Sequence, residues 1–251
     1  MEYDTIKQVY IHFVKIGNEE YDLGNANVKE KKMNIFDIVG PVMVGPSSSH
    51  TAGAVRIGYV SRKLLGEPIK KVCLLLYGSF LATGKGHGTD RALVAGLLGM
   101  QPDDERIPFA FEEAKKAGME FVFGTANLKE AHPNSVVLEM TGVSGRKLEV
   151  IAASLGGGRM KICKLDGMEA NFCAEYPTLI VQNQDQPGCV ATVTTMLSEL
   201  GINIATLQLY RDSRGGDAVM VVECDREVPE TSVHWLQEQP GIRRVTYYCM
   251  E

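Results

Sequence analysis

Residues 178–251 run strand, helix, strand, turn, strand, helix, strand, an order that very few folds accommodate. Thr178–Asn183, Ala205–Arg211, Ala218–Cys224 and Arg243–Cys249 carry the β-branched and apolar runs of strands. Val190–Leu200 and Pro229–Gln239 carry helical spacing. Asp212-Ser213-Arg214-Gly215-Gly216 has the composition of a hairpin turn. A βαββαβ series of this length is the split βαβ, ferredoxin-like unit. Pro177 stands immediately before it and reads as a domain boundary.

The segment in front follows a different plan. Thr51–Leu65 places Ala54, Ile57, Val60, Leu64 and Leu65 on one helical face. Val72–Phe80 is a continuous apolar run and reads as a buried strand. Gly84–Gly88 reads as a glycine-rich loop before a second helix, Asp90–Leu98, with Thr89 placed to cap it. Phe109–Ala117 and Glu120–Phe123 give another helix–strand step. Val136–Met140 and Lys147–Ala153 are strands around the turn Gly142–Gly145, and Met160–Leu165 with Glu169–Ala174 form a further hairpin. Residues 1–32 are polar and weakly patterned, and Met33, where a natural start would fit, precedes the first strong segment, Ile35–Val39.

Composition narrows the function. A chain of 251 residues is long enough for one large or two modest domains without a disulfide or metal staple. A formal charge of −5 argues against a general nucleic-acid binder. Apolar runs long enough to cross a bilayer are missing, and Met1–Gly17 lacks the apolar core of a signal peptide, so membrane and secretory roles are not expected. The cysteines at 73, 163, 173, 189, 224 and 249 form no C-x-x-C pair. They read as reduced cytoplasmic thiols and offer no self-contained metal set.

Two segments carry chemistry. Gly45-Pro46-Ser47-Ser48-Ser49-His50-Thr51 opens the first helix. Hydroxyls, unpaired N–H groups and the positive helix end there suit a carboxylate or phosphate, although one of those serines would suffice as a simple N-cap. Thr83-Gly84-Lys85-Gly86-His87-Gly88-Thr89-Asp90 superficially resembles a phosphate loop, but Gly86 follows Lys85 where that pattern needs Lys-Ser/Thr. A histidine flanked by glycines remains, His87, suited either to general-base work at close range or to an exposed turn, with Lys85 placed to steer an anion. His12 and His234 read as surface residues, and His132-Pro133-Asn134 as a turn. In the βαββαβ unit, Pro187, Gly188 and Asn203 sit at strand–helix junctions that suit either a small ligand or an ordinary turn.

These segments carry a resemblance. Phe36–Pro41 and Gly45–Gly53, Tyr77-Gly78-Ser79-Phe80, Gly84–Asp90, His132-Pro133-Asn134 and Ser154-Leu155-Gly156-Gly157-Gly158 resemble, in order, iron–sulfur-dependent L-serine dehydratases. The tail from Thr178 resembles the ACT domain, an amino-acid-sensing module. Together they are similar to the β subunit of the two-chain enzyme from Met33 to Glu251, with residues 1–32 outside the match.

The resemblance implies an α+β chain: an allosteric-substrate-binding-like α/β domain over 33–176, as in some phosphoglycerate dehydrogenases, then a ferredoxin-like ACT domain over 177–251. It implies dehydration of L-serine to aminoacrylate, which decomposes to pyruvate and ammonia. The [4Fe-4S] cluster would sit on a separate α subunit, with no metal ligand on this chain. Ser47, Ser48, Ser49 and Thr51 would hold the substrate carboxylate, with Lys85 nearby. His87 is the first choice of base and His50 the second. ACT units are expected to self-associate. The competing reading is a non-catalytic module that senses an amino acid.

Overall fold

The computed structural model describes residues 42–249. The readings made for residues 1–32, Ile35–Val39 and His12 lie outside them. Both sheets of the chain belong to one compact unit, Ile35–Glu251.

A π-helical turn, Ser48–Ala52, runs into α1 (Gly53–Leu65). Then come β1 (Ile69–Leu76), α2 (Gly78–His87), α3 (Thr89–Leu97), a 3-10 turn, Ile107–Phe109, and α4 (Ala110–Lys116). The first sheet is completed by β2 (Glu120–Thr125), β3 (Ser135–Gly142), β4 (Lys147–Gly156), β5 (Arg159–Leu165) and β6 (Met168–Phe172). Its order is β2-β1-β3-β4-β5-β6. Only β1 and β2 run parallel, because the helices between them carry the chain back across the sheet. The remaining neighbours are antiparallel, β1 with β3 and then β3 to β6 in succession.

The expected stripe of α1 is entirely buried, with Ala54, Ile57, Val60, Leu64 and Leu65 at most 1 % exposed. Glycines bring α1 and α3 into backbone contact. A Cβ on Gly96 would meet Val55 O and Tyr59 N, and one on Gly58 would meet Leu93 O and Leu97 N.

The second sheet is built from β7 (Thr178–Gln184), β8 (Ile204–Arg211), β9 (Asp217–Cys224) and β10 (Ile242–Tyr248), with α5 (Cys189–Glu199) and α6 (Glu230–Gln237). The order β10-β7-β9-β8, antiparallel throughout, is that of the predicted βαββαβ unit. One face, with Leu179, Val181, Met220 and Val222, packs with Val193 and Leu197 of α5 and Leu236 of α6. The opposite face sends Ile180, Val219, Val221 and Tyr248 into the core of the first sheet and α1. β9 is therefore covered on both sides, which explains its unbroken apolar run.

Three expectations fail between residues 77 and 89. The strand predicted for Val72–Phe80 stops at Leu76, and the loop predicted for Gly84–Gly88 is the last part of a helix. Gly78 turns the chain at φ +56°, where a Cβ would strike Pro133, and Ser79 N then donates to Pro133 O at 2.7 Å. Phe80, fully buried, anchors α2, and only Gly88, at φ +69°, leaves helical backbone. Long-range contacts thus override the weak helix propensity of glycine. Thr89 does not cap α3; that position falls to Gly88, and the Thr89 hydroxyl is buried without a protein partner.

Among the described residues no helix is long and apolar enough to cross a membrane.

Candidate active site

The serine turn is shaped by its own backbone and by the end of β4. Ser47 Oγ accepts from His50 N at 3.1 Å, making Ser47 the N-cap. Thr51 N donates to Ser47 O at 2.9 Å. Ser154 Oγ donates to Ser49 O at 2.8 Å, and Gly158 N to Ser48 O at 3.2 Å. Arg56 Nη1, one turn into α1, donates to Gly158 O at 3.3 Å. Gly53 lies against the Ser154 hydroxyl, leaving no space for a Cβ. The glycine run after β4 therefore braces the serine turn from behind.

His50 stands at the centre, 9 % exposed. Its Nδ1 is 3.1 Å from Ser49 Oγ, which in turn lies 3.3 Å from Ser47 Oγ. Its Nε2 is 3.1 Å from both Ser79 Oγ and Thr83 Oγ1, one turn apart on α2. Phe80 meets the imidazole edge-on at 5.4 Å. The ring of His87 lies 4.9 Å away, its Nδ1 buried without a partner. Burial pushes the His50 pKa below the ordinary histidine value; the neighbouring His87 adds to this, against a smaller opposing effect from Ser79. His50 therefore stays neutral where an ordinary histidine begins to protonate.

The structure brings Ser47, Ser49, His50, Thr51 and His87 together, with Ser48 in the same turn. Thr51 Oγ1 donates to His87 O at 3.1 Å, so this hydroxyl ties the serine turn to the end of α2. Lys85 is exposed on α2. His132 is exposed, its Nδ1 accepting from Asn134 N at 3.1 Å, while the adjacent Pro133 O holds α2. His234 is exposed on α6. Sequence reasoning did not single out Ser79, Thr83, Ser154 and Arg56, although the segments Tyr77–Phe80, Thr83–Asp90 and Ser154–Gly158 contain three of them.

In the second sheet, Pro187 and Gly188 are exposed before α5, with Gly188 at φ +101°. Asn203 Nδ2 donates to Asp225 Oδ2 at 2.7 Å. The neighbouring Asp185 accepts from Gly215 N and Arg211 Nη1, each at 3.0 Å, and these bonds hold its carboxyl below the usual range. The junction is thus tied to the hairpin turn.

Among the described residues no three His, Cys, Asp or Glu side chains are grouped as a metal ion would require. The six cysteines form no disulfide: Cys73, Cys163 and Cys224 lie in strands, Cys189 opens α5, and Cys173 and Cys249 each follow the end of a strand. The donor set does not fit an iron–sulfur cluster held by these residues alone.

Fold and site together define an α+β protein with a hydroxyl-lined histidine centre and a C-terminal ACT unit. A family model described as Serine dehydratase beta chain matches residues 34–120, and the ACT domain model matches residues 177–233. The chain is 42 % identical to the L-serine dehydratase, beta chain of Peptoniphilus asaccharolyticus, over 78 % of its own length and 89 % of that protein. It is 38 % identical to the probable L-serine dehydratase, beta chain of Bacillus subtilis, covering 86 % of this chain and 98 % of that one. A D-3-phosphoglycerate dehydrogenase of Methanocaldococcus jannaschii is 28 % identical over 76 % of this chain but only 36 % of its own. The chain belongs to the L-serine dehydratase beta-chain family.

Proposed function

We propose that this chain forms one wall of an L-serine dehydratase active site, binding L-serine and removing its α-proton, in a cytoplasmic complex with an α subunit. Pyruvate and ammonia are the products. The [4Fe-4S] cluster belongs to the α subunit in this reading and supplies a Lewis acid for the departing hydroxyl.

The observation that carries the proposal is the position of His50 Nδ1, facing Ser49 while Nε2 is held from α2. Ser47, Ser48 and Ser49, at the positive end of α1, receive the substrate carboxylate. Ser49 Oγ then turns from Nδ1 to the carboxylate, and the released lone pair accepts the α-proton. Burial keeps that lone pair unprotonated. This reverses the order in which the sequence ranked the histidines: His50 becomes the base, and His87 its neighbour across 4.9 Å. Thr51 acts by tying His87 in place, and Lys85 adds positive charge near the entrance. The division at Pro177 separates this reacting part from an ACT unit that pairs with a second copy. Pro187, Gly188 and Asn203 are the place for an effector in that unit.

The test is anaerobic reconstitution with an α chain and iron, followed by a pyruvate assay on L-serine. His50→Ala should lower kcat by about 100-fold or more, as loss of a general base does. Near-normal turnover of His50→Ala would dismiss the assignment. The chain alone should form no pyruvate, and a monomer at high concentration in ultracentrifugation would refute pairing. Saturable serine binding to the full-length chain that Gly188→Trp abolishes and Ser47→Ala leaves intact would favour a sensor instead.

A further inference from the structure

Thr83 and Ser79 sit four residues apart on α2 and both face the nitrogen of His50 that points away from the serine turn. We propose that they are positioning residues, which hold His50 in the tautomer protonated on Nε2 and so leave the lone pair on Nδ1, toward Ser49. This rests on the reading of His50 as the base and names the groups that set its orientation.

A threonine hydroxyl has one proton to donate. Thr83 Oγ1 places its proton on the carbonyl oxygen of Ser79 at 2.9 Å, a bond along its own helix. Toward His50 Nε2, at 3.1 Å, it therefore offers only lone pairs. Ser79 Oγ, 3.4 Å from Thr83 Oγ1 and 3.1 Å from Nε2, can turn its proton to Thr83 and likewise present lone pairs. An Nε2–H thus meets two acceptors. With the opposite tautomer, Thr83 would set its lone pairs against a bare Nε2 in a part-buried place, leaving Ser79 as the one hydroxyl of the pair able to donate to it. That tautomer would also put a proton on Nδ1, facing the substrate side, where a base needs none.

The surroundings keep the ring from escaping this choice. Phe80 blocks one edge at 5.4 Å and His87 lies across the ring at 4.9 Å. α2 itself is pinned at its start by Ser79 N on Pro133 O and at its end by Thr51 Oγ1 on His87 O. The two oxygens are therefore presented by a helix anchored at both ends.

The experiment uses the full-length chain with labelled histidine, where nitrogen and carbon chemical shifts report which ring nitrogen of His50 bears the proton. His50→Gln identifies the signal. Wild type should show Nε2–H. Thr83→Val, similar in shape but lacking the oxygen, should shift the population toward Nδ1–H, and Thr83→Ser should restore it. Ser79→Ala is the second variant: it removes the one hydroxyl able to donate to a bare Nε2 and should leave Nε2–H in place, with circular dichroism reporting that α2 is intact. In the complex with an α chain, Thr83→Val should reduce kcat for L-serine by about 10- to 100-fold, with KM less affected and Thr83→Ser near wild type. An Nδ1–H signal in wild type, a tautomer indifferent to Thr83→Val, or a shift to Nδ1–H in Ser79→Ala overturns the proposal. Control of the tautomer by Thr83 together with normal turnover of His50→Ala would uphold the clamp and remove the base assignment instead.

Discussion

The imidazole rings of His50 and His87 lie 4.9 Å apart, their planes inclined at 43°. Burial, with the neighbouring His87 adding to it, keeps the His50 pKa below the ordinary histidine value. That relationship makes the site sensitive to mild acid.

Thermal stability is expected to fall as pH drops below 6.5, the ordinary histidine value. Folded His50 resists protonation there while the unfolded chain accepts it, so the unfolded state binds more protons and stability declines with acid. Melting temperature followed downward from neutral pH should show a shallower slope in His50→Gln. Equal slopes in the two proteins would contradict the burial argument.

Gly96→Ala should destabilise by about 1–3 kcal/mol, because its Cβ would press on the backbone of α1, which cannot give way as a side chain would. Gly86→Ala, with nothing within 4 Å and an ordinary helical backbone, should instead stabilise by about 0.4–1 kcal/mol. Urea unfolding of both variants checks the opposite signs.

The two sheets should melt together. Ile180, Val219, Val221 and Tyr248 of the second sheet are buried in the core of the first, so neither unit closes its apolar surface alone. Calorimetry should give one transition. A chain ending at residue 176 should bind a hydrophobic dye and aggregate, whereas two separated transitions would show independent domains.

Cys224 should be the thiol most resistant to alkylation. It is 0 % exposed, and burial pushes its pKa up to about 11. At about pH 8 the reactive thiolate is scarce, so iodoacetamide should label it only after unfolding. Mass spectrometry of folded and urea-treated protein distinguishes the two.

The stripe of α1 and the βαββαβ order were legible because each depends on spacing within a few residues. The glycines of α2 misled for the same reason. Locally, Gly84, Gly86 and Gly88 signal a loop, while Pro133, far away in the chain, decides that Gly78–His87 is helical. Ser79 and Thr83 were hidden as partners of His50 because they lie 29 and 33 residues beyond it.

The sequence by itself determined the order of the elements other than α2, the apolar faces they bury and the residue types gathered in the site, since hydroxyls, glycines and histidines stand in short motifs. Tertiary structure alone decided which nitrogen of His50 faces the serines and which hydroxyl proton is already committed. Those outcomes depend on where separate segments meet, and a hydrogen bond changes its meaning within a few tenths of an ångström.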